Sequence, residues 1–162
     1  MMWRSIAEFP RYSISRNGEV VNNRGHSMVL TRNQQGIVQV GLVRDGKQFK
    51  RSVALLVAKA FLPTPTLEAF NTPIHLDGDR FNTHAENLMW RPRWFAVKYH
   101  AQFRDNYMAF SGPIVEIHSR EKFPNSRAAV ITYGLLERDI YMATLNRTYV
   151  FPTYQEFREL NE

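Results

Sequence analysis

Two alternating runs, each broken by a turn dipeptide, limit what the first third of this chain can become. Tyr12-Ser13-Ile14-Ser15 leads through Asn17-Gly18 into Glu19-Val20-Val21, and Ile37-Val38-Gln39-Val40-Gly41-Leu42-Val43 leads through Asp45-Gly46 into Gln48-Phe49. Apolar residues at every second position line one face of a strand, and Asn-Gly and Asp-Gly adopt the positive φ angles of a tight hairpin. Residues 12–50 are therefore expected to form short antiparallel strands. From Ser52 the period changes: Val53, Leu56, Val57 and Ala60 share a helix face, and Pro63 and Pro65 end the run. This helix of about ten residues is expected to pack on the sheet.

Pro73 to Trp90 is short, polar and turn-rich, and it reads as two strands around a loop. After Pro92 a mixed aromatic and basic helical pattern, Arg93-Trp94-Phe95-Ala96-Val97-Lys98-Tyr99-His100-Ala101, extends to Phe103 or Arg104. Ser111-Gly112-Pro113 marks a boundary between a segment of residues 1–110 and one of 111–162. Beyond it, Ile114–Ile117 reads as a strand. Asn125 or Ser126 caps a helix through Ile131 that Gly134 ends, and Leu136–Leu145 follows as a second helix. Helix, glycine turn, helix is the outline of a helix-turn-helix. Tyr149–Phe151 reads as a strand, and Thr153-Tyr154-Gln155-Glu156 has the form of a capping box opening a last helix through Leu160.

Composition removes several function classes. The 162 residues include no cysteine, so disulfides, thiolate zinc sites and cysteine nucleophiles are excluded. That suits a reducing cytoplasm. The longest apolar run, Val53–Ala58, is too short to span a bilayer, and Arg4, Glu8 and Arg11 interrupt the start, so no membrane partner is expected. The net charge of +6 is uneven: residues 1–71 hold ten Lys/Arg against four Asp/Glu, residues 72–110 five against four, and residues 111–162 six against seven. Seven of the first ten cations are arginine, whose planar fork matches phosphate oxygens. A phosphate-bearing partner is the expectation.

The densest polar cluster is His75, Asp77, Asp79, Asn82, His84 and Asn87. With Val53-Ala54-Leu55-Leu56-Val57-Ala58-Lys59-Ala60-Phe61 upstream and Asn87-Leu88-Met89-Trp90 downstream, it resembles the HNH homing endonucleases encoded by phages and introns. Their pattern is Val-His-Arg-Leu-Val-Ala-x-x-Phe, then His-x-Asp-Gly-Asp-x-x-Asn and Asn-Leu-x-Trp. The opening, with Trp3, Ile6, Tyr12–Ser15, Gly18 and Val20, is similar to the modular DNA-binding segment that precedes this motif in the family. The C-terminal helix pair is similar to the modular helix-turn-helix that follows it.

The resemblance implies an α+β protein with three parts: a β-rich N-terminal segment, a ββα-metal (HNH-like) unit and a helix-turn-helix-like C-terminal module. It also implies a phage source. His75 matches the family's general base, which activates water while one divalent cation stabilises the phosphate. The family's cation ligands are an acidic or amide residue just before that base and an Asn or His on the following helix. Here those positions are Ile74 and, by count from Asn87, about Ala96, while Ala54 replaces the His of the upstream pattern. Neither side chain can coordinate a hard cation. The unit is accordingly expected to be catalytically degenerate, with no metal site and no cofactor. Mg²⁺ would be required only if nuclease activity survived through His100, Asp77, His84 or Asn87 as substitute ligands. Asp77-Gly78-Asp79 and Asn82 are also explained as turn residues whose side chains bind backbone amides.

The expected function is nucleic-acid binding without cleavage. Phosphate contacts are assigned to Arg11, Arg16, Arg24, Arg32, Arg44, Lys47, Lys50 and Arg51 around the two hairpins, and to Arg91, Arg93, Lys98 and Arg104. Trp94, Phe95 and Tyr99, interleaved with the last group, could stack on bases. The partner is DNA by resemblance, or a structured RNA such as ribosomal RNA, whose irregular grooves suit arginine-rich hairpins. Two alternatives stand beside it. One is an active metal-dependent endonuclease with His75 as base. The other is a factor that docks on a host protein through the C-terminal module, whose second helix opens with Glu137-Arg138-Asp139.

Overall fold

The computed structural model describes residues 2–161. Met1 and Glu162, the outer bounds of the two expected segments, lie outside the described residues. The fold is a mixed α+β fold whose contacts gather into two compact units. One unit runs to His75 and resumes over Asp79–Arg93, and the other joins Leu76–Gly78 to the chain from Trp94. Ser111-Gly112-Pro113 thus falls inside the second unit.

In the first unit, β1 (Trp3–Ile6), β2 (Phe9–Ser15) and β3 (Val20–Asn22) make one antiparallel sheet, and β4 (Leu30–Arg32), β5 (Val38–Arg44) and β6 (Lys47–Ser52) make another. Asp45 and Gly46 turn at φ 53° and 75°, which pairs Arg44 with Lys47, whereas at Asn17-Gly18 only Gly18 takes a positive φ, 86°, and the Ser15 N–H closes the turn on the Glu19 carbonyl at 2.9 Å. Phe9, Ile14, Val20, Val40 and Leu42 face inward, and the Tyr12 hydroxyl accepts the Val43 N–H at 3.1 Å. Helix α1 (Val53–Phe61) is capped by the Ser52 hydroxyl, which accepts the Leu55 N–H at 3.2 Å. Its buried Val53, Leu56 and Val57 close the core, each such side chain contributing about 1.5–3 kcal/mol. A two-stranded hairpin, β7 (Thr72–His75) and β8 (Leu88–Arg91), packs against the same helix.

The second unit is built on α2 (Arg93–Asp105), β9 (Ile114–Glu116), β10 (Lys122–Phe123), α3 (Ser126–Tyr133), α4 (Glu137–Asn146) and β11 (Phe157–Glu159). Phe95, Tyr99, Ile114, Leu135, Ile140 and Phe157 are buried. The Tyr99 hydroxyl lies 2.6 Å from the Leu76 carbonyl and 3.2 Å from that of Val130. Gln102 donates to the Leu135 carbonyl at 3.1 Å and accepts the Glu137 N–H at 2.9 Å, so α2 is stitched to the turn between α3 and α4. The Asn125 carboxamide caps α3, and Gly134 ends it at φ 66°.

The C-terminus departs from its sequence reading. No last helix follows Thr153-Tyr154-Gln155-Glu156; instead β11 pairs with β9, setting Phe157 opposite Glu116 and Glu159 opposite Ile114. Tyr154 takes φ 57°, the Thr153 hydroxyl turns to the Gln155 side chain at 2.6 Å, and the Glu156 N–H goes to the Glu116 carboxylate. The groups that would cap a helix are spent on a turn, and the open edge of β9 takes the segment as a strand. Tyr149–Phe151 likewise contributes one bridge, Val150 to Gln155, rather than a strand. Strand β1, paired with β2, and strand β10, paired with β9, have no counterpart in the sequence reading.

Candidate nucleic-acid interface

The β7–β8 hairpin carries His75 at its end, opposite Leu88, with 8% of its surface exposed. Ile74, opposite Met89, is fully buried, and Ala96 is buried on α2. Hydrocarbon at both places has no lone pair to offer, so these residues do not fit a hard cation at the positions the resemblance assigns. Among the described residues no three His, Asp or Glu side chains gather as a metal cluster.

The polar loop between the strands engages backbone. The Asp79 carboxylate accepts the Phe81 N–H at 2.9 Å, and the Asn87 carboxamide donates to the Asn82 carbonyl at 2.9 Å. His84 is exposed and His100 half-buried on α2. Gly78 turns at φ 78°, and a β-carbon there would lie 2.4 Å from the Phe103 ring, so this turn demands glycine. The Arg16 carbonyl accepts the Ala85 N–H at 2.9 Å, and its guanidinium meets Glu86 at 3.4 Å. A hydrogen bond from its own N–H holds the Glu86 carboxyl below its ordinary value; burial opposes this and the charge of Arg16 adds to it.

The twelve candidate cations fall into three groups. Arg11, Arg24, Lys47, Lys50, Arg93 and Arg104 are exposed, and among the described residues their side chains make no ion pair or hydrogen bond. A second group leans on aromatic rings. Arg44 and Arg51 both lie over Phe9 and Phe49 at 4.9–5.2 Å, Arg32 over Phe81 at 3.8 Å, and Lys98 over Trp94 at 5.4 Å. Arg16 joins them, 5.4 Å from Phe61. Stacking of this kind fixes the guanidinium plane, and part of its edge is already engaged: Arg16 meets Glu86, Arg44 donates to the Glu8 carbonyl at 3.1 Å, and Arg51 meets the Glu8 carboxylate at 3.8 Å. Arg91 stands apart, 6% exposed, with a guanidinium nitrogen 2.8 Å from the Trp90 carbonyl.

Sequence reasoning missed Phe81. It is 54% exposed in a turn-rich loop, where a large apolar residue is out of character, and that was the available signal. Of the three aromatic residues offered for stacking, Phe95 and Tyr99 are fully buried in the second unit's core and cannot reach a base. Trp94 remains, 54% exposed. On α4 the exposed residues are Arg138, Tyr141, Met142, Leu145 and Asn146, three of them largely apolar.

Two three-stranded sheets, a ββ hairpin leading into a helix and a C-terminal helix pair make up an HNH-endonuclease-like fold. The structure of the HNH homing endonuclease I-HmuI, described for its DNA binding and cleavage, matches 100% of this chain and 99% of its own at a TM-score of 0.55 and 21% identity. An uncharacterised HNH endonuclease of Acanthamoeba polyphaga mimivirus is 28% identical over 88 residues, 54% of this chain. That stretch is 26% of the viral protein, so the match covers about a quarter of its length. No protein-family model matches the chain. The chain thus shares a fold with an HNH homing endonuclease and is similar over 88 residues to one viral HNH endonuclease.

Proposed function

We propose that this protein binds DNA on an HNH scaffold without cutting it. The observation that carries this reading is Ile74, a fully buried hydrocarbon where the resemblance places a cation ligand, next to a retained His75. Without a cation the developing charge on the phosphate and leaving oxygen loses its largest stabilising contribution, and an imidazole alone does not replace it. The binder outlasts the cutter because phosphate affinity resides elsewhere, in the exposed cations of the hairpins and of α2. DNA is preferred to structured RNA because both similar proteins are named as endonucleases of the HNH class and one is described for DNA binding.

The experiment has two arms. Pure protein is incubated with supercoiled plasmid and Mg²⁺ or Mn²⁺, with His75→Ala as control; intact plasmid in both is expected. Binding to DNA and RNA of equal length is then followed across a salt series. DNA binding with a steep loss in salt supports the reading, and equal, salt-insensitive or absent binding overturns it.

A metal-dependent endonuclease is the second reading, favoured by the burial of His75 on β7 within a retained hairpin. Metal-dependent nicking that His75→Ala abolishes would establish it in place of the first.

A further inference from the structure

The solvent face of α2 is unusual in its middle. Arg93, Trp94, Val97, Lys98, Arg104 and Asp105 are exposed, while Phe95, Ala96, Tyr99 and Gln102 are buried. Val97 is 63% exposed and Trp94 54%. Three residues apart, they are neighbours on the helix surface. Two large apolar side chains are thus set side by side among three cations, where a solvated helix would carry polar residues.

Trp94 is held rather than loose. Its ring stacks on Phe151 at 5.6 Å with an interplanar angle of 29°, Phe95 meets it edge-on at 5.8 Å, and the Lys98 ammonium lies 5.4 Å from its centroid. A braced ring loses little conformational entropy on gaining a contact, which favours its use as a platform.

We propose that Trp94 and Val97 form an apolar wedge that contacts the bases of bound DNA, with Arg93, Lys98 and Arg104 holding the flanking phosphates. The inference rests on the DNA-binding reading and deepens it. The charge of the helix face selects the occupant: three cations against the single carboxylate of Asp105 leave a net positive rim around an apolar centre, which complements a polyanion that presents π-faces along its whole length. An indole stacks on any base, so the contact adds affinity without demanding a sequence.

The test measures binding of a mixed-sequence duplex of about 30 base pairs by fluorescence anisotropy, with tryptophan emission recorded in parallel. Trp94→Ala is expected to weaken binding roughly 5- to 150-fold at one salt concentration while leaving the salt slope unchanged. Trp94→Phe retains most of the affinity but loses most of the emission quenching seen on binding. Lys98→Ala is expected to do the opposite, lowering the slope by about one. Circular dichroism melts check that each variant is folded. Affinity unchanged in Trp94→Ala, or quenching undiminished in Trp94→Phe, overturns the wedge while leaving DNA binding in place. No binding by the unaltered protein overturns both. Trp94-dependent binding of an RNA of the same length, without DNA binding, replaces the assigned partner.

Discussion

A β-carbon on Gly18 would stand 2.2 Å from the Thr83 hydroxyl oxygen, although 65 positions of sequence separate the two residues. The turn of the first hairpin therefore presses directly on the loop that precedes β8. Gly18 also takes φ 86°, which side chains rarely adopt. Substitution Gly18→Ala combines backbone strain with overpacking against buried Thr83, and a loss of roughly 2–4 kcal/mol is expected. Urea denaturation measures it. Gly18→Ala together with Thr83→Ala relieves the clash but not the strain, so the double variant is expected to recover only part of the loss.

Glu116 anchors the C-terminal sheet from a position 2% exposed. Burial alone would raise its carboxyl. The N–H groups of Ser119, Glu156 and His118, at 2.8, 2.9 and 3.0 Å, more than offset that and hold it below the ordinary value of 4.5. A carboxyl lowered in the folded state adds stability that is fully present above the unfolded pKa and is lost as pH falls through the folded one. Glu116→Gln is expected to cost about 1–3 kcal/mol at neutral pH. The difference from the unaltered protein is expected to shrink in melts taken progressively below pH 4.5.

Glu137, 1% exposed at the start of α4, accepts hydrogen bonds from Arg127 Nε and from the Ala109 N–H, both at 2.9 Å. Removing the cation strands a buried carboxylate, so Arg127→Ala is expected to cost about 3–5 kcal/mol. Adding Glu137→Gln removes the charge and is expected to return part of that stability. Chemical denaturation of the two variants distinguishes the outcomes. Equal stability would mean that the carboxylate finds another partner.

The hairpins and α1 were legible because their signals are local: Asn17-Gly18 and Asp45-Gly46 decide their own turns, and Ser52 caps its own helix. The C-terminus was not. Thr153 and Glu156 have capping-box spacing, yet the waiting edge of β9, far away in sequence, decides their conformation. Aromatic roles on α2 failed for a related reason. Trp94 and Phe95 are adjacent, and only the packing partner determines which is core. At the site, His75 and the hydrocarbon at Ile74 could be read directly, since coordination chemistry depends on residue type alone. Which cations are accessible could not, because burial of Arg91 is a tertiary fact.

Lys50 and Arg91 were assigned the same role from sequence and occupy opposite environments. Lys50 is exposed on β6, opposite Gly41, while Arg91 is buried at the end of β8. A phosphate contact through an exposed ammonium releases a counterion and touches nothing in the core. Lys50→Ala is therefore expected to lower the slope of log affinity against log salt by about one and to leave the melting temperature unchanged. Arg91 gives a hydrogen bond to the Trp90 carbonyl at 2.8 Å, so Arg91→Ala is expected to cost about 1–3 kcal/mol in stability. Its salt slope is expected to stay that of the unaltered protein. A slope change in Arg91→Ala equal to that of Lys50→Ala, with no loss of stability, would show that the buried guanidinium turns outward when DNA binds.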